Sequence, residues 1–375
     1  MASERKTPGS KITQHELAHQ LGVSRSTVAA ALNPASTIKL KETTRERIIK
    51  AAERLNYRPD HYARIMRGGR SGAIGILHFG GLLQVAAERA FHAANAVRRE
   101  GYNVVSADLS WSSADIEAAC SSLIDARVEG VIVAGMNIPS AVAELERVKE
   151  AGIPVVTLSG NPLPWAPHFR GDTRRGIHDL TEHLLGLGHR QLCLLSHIST
   201  GNDPGAYVWA GQERLLGFQA ALEQAGGKLV KNFTARPKAP QGMLVRTENP
   251  ADAFNPFEPG ITGMRAILRQ RLRPSAVLCS NDEVAFGAMK VCREEGVSIP
   301  GEIALTGYDD TSLGQYCEVP LTTVRQPNRA MGEAALEALL KLIRGEEIPP
   351  EARLLLFPCQ VIVRSSTGGP VGPKR

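Results

Sequence analysis

Arg25, Ser26 and Thr27 follow directly on Ser24, and this short polar run offers the clearest chemistry in the chain. Ser24 is a good helix N-cap, so the three residues after it fall in the first turn of a helix and face outward. A helix start carries unpaired backbone N–H groups and a partial positive charge, which suits phosphate oxygens and base edges together. An Arg fork at position 25 can pair with a guanine edge, worth about 1–3 kcal/mol of discrimination. Phosphate contact alone stays open for Arg25, since half or more of the hydrogen bonds in such interfaces go to the backbone.

Bond-making chemistry lacks its usual signatures. The sequence has no Gly-x-Ser-x-Gly elbow, no P-loop and no His-Glu-x-x-His. His183 and His189 flank a helix end and a turn with no third ligand at metal spacing, which suits capping or packing better than zinc. The cysteines at 120, 193, 279, 292, 317 and 359 include no Cys-x-x-Cys pair and read as reduced core thiols of a cytosolic protein. The expectation is a chain that is no enzyme and needs neither metal nor cofactor.

The elements that position the polar run are legible on either side of it. Thr13-x-x-Glu16 is a capping box that opens a helix through Leu21, with Ile12, Leu17, Ala18 and Leu21 as one apolar stripe. Gly22 supplies a turn. A second helix, Arg25 to Leu32, turns Val28, Ala31 and Leu32 inward and stops at Pro34. Thr43-x-x-Glu46 caps a third helix through Leu55. Two short helices around a tight turn, with a third to close the core, make a helix-turn-helix head. The charge agrees. Residues 1–70 hold 14 Lys and Arg against 6 Asp and Glu, a net of +8, while the remaining residues hold 30 against 32, a net of −2. The chain's net +6 therefore sits in its first fifth, as a nucleic-acid-binding head on a near-neutral body requires.

From Gly72 the pattern changes to apolar strand-like runs alternating with amphipathic helical segments. Strands are expected at 73–77, 104–107, 130–134, 154–158, 192–195, 276–279 and 303–306. Helices are expected at 83–100, 113–126, 139–151, 212–225 and 283–295. This rhythm gives parallel sheets covered by helices, in two lobes with a ligand cleft at the carboxyl ends of the strands. Residues 235–260, rich in Pro and polar residues, read as a long loop in which Phe254 and Phe257 could form part of a lid. With 43% hydrophobic and 22% charged residues the chain is an ordinary globular one. No apolar run approaches the ~18–20 residues needed to span a bilayer, and the polar, basic N-terminus has no secretory apolar core.

The head resembles the DNA-binding domain of the LacI/GalR family of bacterial repressors. The matching elements are Ala18, Gly22-Val23-Ser24, Thr27-Val28, Leu32-Asn33, the third helix and Asn56-Tyr57-Arg58-Pro59. By that resemblance Arg25 and Ser26 occupy base-reading positions, and Ala30 a third where related proteins can carry a larger side chain. Thr13, Ser24, Thr27, Asn33, Tyr57 and Arg64 would touch the DNA backbone. Residues 59–70 resemble the family's hinge helix and linker, which orders when two copies meet in the minor groove, with Ala63 and a wedging Met66 in place of the usual Leu.

The body resembles the family's effector domain, which has the periplasmic-binding-protein fold. The match rests on Asp172-Thr-Arg-Arg-Gly176, His183 through Arg190, Arg214-Leu-Leu-Gly-Phe218, Ser280-Asn281-Asp282, Gly307-Tyr308-Asp309-Asp310 and Pro320 through Gln326. The resemblance implies an all-α head on an α/β two-lobed body. The head spans 11–58 after a flexible 1–10, the body 71–366, and a flexible tail follows at 367–375. The first lobe is 71–188 plus 327–346 and the second 189–326 plus 347–366, so that a helix 328–344 returns to the first lobe and a strand 354–363 to the second. Three crossovers would form a hinge.

Matching positions nominate Asp172, Arg214, Asn281 and Asp309 as ligand contacts, a set that suits a polyhydroxylated molecule and also a nucleobase. Arg214 and Asp309 would serve equally as a structural ion pair. His78, Phe79 and Gln84 lie after the first strand, where HFGGLLQ departs from the family's polar and Pro pattern. Trp209 could stack on a sugar face, and Trp165 lies in a Pro-rich stretch near a crossing. The partners implied are operator DNA, a small-molecule effector and a second copy of the chain. No leucine heptad near the C-terminus supports a tetramer.

Overall fold

A computed structural model of the chain describes residues 12–32, 38–55, 57, 70–79, 84–109, 112–136, 140–199, 208–249 and 255–368. The chain divides into two compact units, Met1–Ser71 and Gly72–Arg375.

In the first unit, α1 (Gln14–Leu21) opens on the expected capping box. Thr13 Oγ1 accepts from the Glu16 N–H at 3.2 Å, and the Glu16 carboxylate accepts from the Thr13 N–H at 2.8 Å. Gly22 ends the helix at φ 62°, left-handed backbone that glycine adopts without strain. In α2 (Arg25–Leu32) Ser24 Oγ accepts from the Thr27 N–H at 3.1 Å, which makes Ser24 the cap. The third helix, α3 (Glu42–Arg54), differs from expectation. It starts one residue before Thr43, with Lys41 at its N-cap and no side-chain cap bond, so the Thr43–Glu46 pair falls inside the first turn. Leu17, Val28 and Ile48, fully buried, meet at the centre with Ala18, Ala31, Ala51 and Ala52.

The second unit is built on two parallel sheets. The first runs β12-β5-β4-β3-β1-β2, formed by β1 (Ala73–Phe79), β2 (Asn103–Leu109), β3 (Gly130–Met136), β4 (Val155–Gly160), β5 (His168–Gly171) and β12 (Leu354–Phe357). One face packs on α4 (Gln84–Arg99) and α11 (Asn328–Ile343), the other on α5 (Ser113–Asp125) and α6 (Ser140–Glu150). The second runs β10-β9-β6-β8-β7, formed by β6 (Gln191–Ser199), β7 (Lys228–Leu229), β8 (Gln241–Asn249), β9 (Ala276–Cys279) and β10 (Ala304–Thr306). Its faces are covered by α7 (Thr173–Gly186) with α8 (Val208–Gln224), and by α9 (Glu258–Leu268) with α10 (Asp282–Glu294). Apolar runs such as Ile74, Ile76, Leu77 and Val131–Val133 are buried because both faces of each sheet are covered.

Three expectations about this unit are corrected. Residues 235–260 are not one long loop: 241–249 form β8, paired along its length with β6, and α9 starts at Glu258. Phe254 lies outside the described residues, and Phe257 is the N-cap of α9. Secondly, α7 belongs to the second lobe rather than the first, because Ile177, Leu180 and Leu184 pack with Leu192, Phe218 and Leu278. Thirdly, the strand expected over 354–363 breaks at Pro358, which lacks the N–H that a continuous ladder needs. Its first half, β12, joins the first sheet beside β5. Its second half, β13 (Gln360–Ile362), pairs antiparallel with β11 (Thr323–Arg325) in the connections between lobes.

Three segments cross between the lobes and touch one another. The Asp172 N–H donates to the Phe357 carbonyl at 2.8 Å. A Cβ on Gly171 would stand 2.8 Å from Cys359 Sγ and 3.3 Å from Gln326 Oε1, so any larger residue must push these side chains aside.

Candidate nucleic-acid interface and ligand cleft

On the head, Arg25 and Ser26 are exposed at the start of α2, and Thr27 is half-buried. Gln14 Nε2 donates to the Arg25 carbonyl at 2.9 Å and so fixes α1 against the start of α2. Ser24 Oγ lies 2.7 Å from both Ser26 Oγ and Thr27 Oγ1, a hydroxyl cluster at the start of α2. Thr13 is exposed at the start of α1. Tyr57 packs against the head's core. Ala30 is a correction: at 3% exposure its methyl is buried, so it cannot read a base from where it stands. Asn33, Ala63, Arg64 and Met66 lie outside the described residues.

On the body, the carboxyl ends of β5, β9 and β10 and the start of α4 carry the polar residues. Asp309 is 5% exposed and adopts φ 113°, a backbone conformation that non-glycine residues rarely hold. Gln326 Nε2 donates to its carboxylate at 2.5 Å, and its N–H donates to the Val324 carbonyl. Burial pushes the Asp309 carboxyl above its usual range, while the Arg89 and Arg214 guanidiniums pull it back. Arg214 stacks 4.8 Å above the ring of Tyr308, itself buried, with its hydroxyl donating to Thr173 Oγ1 at 3.2 Å. A cavity of about 410 Å³ opens beside Asp309, lined also by Glu88, His92 and Gln326.

The other nominated residues have structural partners. Asp172 caps α7 by accepting from the Arg175 N–H at 3.0 Å. Asn281, 6% exposed, caps α10 through Oδ1 and the Val284 N–H at 2.9 Å. Both caps place a side-chain oxygen at a helix start next to the strand ends. Gln84 bridges the lobes: its N–H donates to Glu283 at 3.3 Å and its side chain to Ser312 Oγ at 2.7 Å. His78 faces Asp108 on the adjacent strand at 3.4 Å. The side chains of Phe79 and Trp209 lie outside the described residues. Trp165 packs on the first lobe's core with the Lys149 ammonium 5.0 Å from its ring centroid. His183 and His189 bond to Thr367 and Ser275, and burial depresses His189 to about 4.

Several residues at the cleft escaped the sequence reading. Arg89, at 8% exposure, sits among Val85, Ala86, Ala90 and Ala93 on the inward stripe of α4. Its signal was a lone charge at core spacing on an otherwise apolar stripe. Glu283 is buried at the start of α10, where burial pushes its carboxyl up to about 7. Beside it Asp282 accepts from the Thr311 N–H at 2.6 Å and from Thr323 Oγ1 at 2.6 Å, tying α10 to the loop after β10.

Residues 13–60 match the model of bacterial regulatory proteins of the lacI family, and residues 181–367 match that of a periplasmic binding protein-like domain. The chain belongs to the LacI family of bacterial regulatory proteins. Among LacI-family relatives, the HTH-type transcriptional repressor PurR of Vibrio atlanticus (strain LGP32) is 28% identical over 356 residues, covering 94% of this chain and 98% of that protein. The HTH-type transcriptional regulator MalR of Streptomyces coelicolor (strain ATCC BAA-471 / A3(2) / M145) is 27% identical over 371 residues, covering 96% and 97%. The fold matches that of a Lac repressor dimer bound to operator and the anti-inducer ONPF, with a TM-score of 0.75 and 24% identity over 96% of this chain and 99% of that one. These relatives are transcriptional regulators. Among the described residues no helix is long and apolar enough to cross a membrane.

Proposed function

We propose that this LacI-family regulator is a repressor of carbohydrate-utilisation genes, released from or held on a pseudo-palindromic operator by a small hydroxylated molecule bound between its lobes. It acts in the cytoplasm, where its DNA is. The observation that carries the reading is the convergence of Arg214, Tyr308 and Asp309 at the strand ends, in a chain whose other unit presents Arg25 at an exposed helix start. The arginine fork donates and the carboxylate accepts, and Asp309 lines a cavity of small-molecule size. Lobe closure over a ligand is the two-state element that would couple the cleft to DNA. A homodimer fits a two-fold operator. Leu313 and Tyr316, 57% and 78% exposed, are apolar surface that a second copy would cover.

A purine or nucleoside effector is the second reading. It is favoured by the similarity to the repressor PurR, and Arg214 with Asp309 suits a nucleobase edge as well. Selection of binding sites from random duplex DNA by the purified chain, followed by release assays with neutral sugars and purines, tests both. Enrichment of a pseudo-palindrome whose binding one class changes is the expected result. A chain that enriches no sequence would sink the reading.

A further inference from the structure

We propose that Gln84 and Glu283 form a proton-linked clasp between the lobes, so that falling pH draws the lobes together and rising pH lets them part. The clasp operates without an effector and so lies beyond the ligand reading above.

Gln84 opens α4 in the first lobe, and three hydrogen bonds run from it. Its N–H, one of the donors that a helix start leaves free, donates to Glu283 at 3.3 Å. Its side-chain amide donates to Ser312 Oγ at 2.7 Å and to Glu88 Oε1 at 3.1 Å. Glu283 stands in the first turn of α10 and Ser312 in the turn after β10, both in the second lobe. One residue of the first lobe is therefore held twice by the second.

The closed arrangement disfavours an ionised Glu283. The side chain is buried, and its Oε2 has no hydrogen-bond partner among the described residues. Burying a carboxylate short of donors is costly, and burying the neutral acid is much less so. Asp309, on the loop after β10, and Glu88, on α4, repel its charge as well. Asp282 precedes it on α10 as a further buried acid. Arg89 and Arg214 offset part of the Asp309 charge. Helix α9 packs along α10 here through Gly260, which brings no charge.

Burial, with these neighbours, holds the Glu283 carboxyl up to about 7 while the lobes touch. Once they part, water reaches it and the ordinary 4.5 returns. Closure thus takes up a proton. The gain is complete below the ordinary value and is lost as pH rises through about 7. From pH 8 to pH 6 the ratio of closed to open chains rises about tenfold.

Hydrogen exchange at the start of α4, read by mass spectrometry on the full chain without effector, tests the clasp. Rates are corrected for the intrinsic effect of pH. The wild type is expected to lose protection about tenfold from pH 6 to pH 8. Glu283→Gln keeps the acceptor but cannot ionise, and should hold the same protection at both. Ser312→Ala removes a bond from an exposed residue of the opposite lobe, and should lower protection of α4 several-fold at either pH. Constant protection in the wild type overturns the proposal, as does a Glu283→Gln decline parallel to the wild type. A Ser312→Ala variant that leaves α4 unchanged overturns it too, since the lobes would then not be held there. The operator and ligand-class readings fail separately, in the release assay.

Discussion

Replacing Gly171 by alanine adds one methyl where the three lobe crossovers meet. The backbone there is not left-handed, so alanine fits the local conformation. By restricting the unfolded chain, it contributes about 0.4–1 kcal/mol of stability. Packing acts the other way. The new Cβ would lie 2.8 Å from Cys359 Sγ and 3.3 Å from Gln326 Oε1, where carbon normally keeps about 3.5–4.0 Å. Overpacking of this kind costs about 1–3 kcal/mol, so the net loss is roughly 0–2.6 kcal/mol. Urea unfolding of the full chain measures it. Cys359→Ala removes the obstructing sulfur, so Gly171→Ala introduced on that background should lose much less, with a coupling of about 1–2 kcal/mol. The cleft offers a second readout. Gln326 holds Asp309, so displacing Gln326 should also weaken effector binding. If the cost of Gly171→Ala is the same with and without Cys359 Sγ, the crossovers are not packed against one another as described.

Arg25→Ala should reduce discrimination between operator and random DNA by about 1–3 kcal/mol per half-site while low-salt binding persists, as read by competition shift assays; equal loss on all sequences would refute base reading. Asp309→Ala and Arg214→Ala should each abolish the effector's influence on operator affinity without preventing operator binding, and a variant with a normal response would remove that residue from the pocket. Glu283 gives a pH dependence. Its folded carboxyl resists ionisation until about pH 7, whereas the unfolded one ionises near its ordinary 4.5, so the folded state holds the extra proton between these values and loses stability as pH rises through that window. Glu283→Gln should remove that decline, seen as melting temperatures of variant and wild type that diverge from pH 5 to pH 8; parallel curves would show that Glu283 titrates normally.

The head was legible because its signals are local. A capping box, a glycine turn and an apolar stripe are each written within a few residues, and Thr13, Gly22 and Ser24 do what their types suggest. Thr43 shows the limit: the same motif loses to a helix that gains two residues by starting at Glu42. In the body, element types were legible but partners were not. The stripe of α7 is plain, yet nothing in it says which sheet it covers. The strand β8 was hidden because Pro and polar residues on both sides diluted the run Met243-Leu244-Val245. At the cleft, Asp309 and Arg214 stand inside recognisable motifs, whereas Arg89 shows its role only through burial.

The placement of β12 and α11 has a consequence for how the chain is made. The second lobe's sheet and both its helical layers lie within residues 173–325, and only β13 and the segment after it arrive later. The first lobe begins earlier but waits longer. Until 328–343 emerge, Ile132, Val156 and Phe169 lack the helix that covers them, and until 354–357 emerge β5 remains an open edge. At about 5–20 residues per second, the interval between β5 and β12 is roughly 10–40 s of synthesis. The lobe translated first is therefore the one completed last, and for that interval its half-built sheet is the part of the nascent chain most in need of a chaperone.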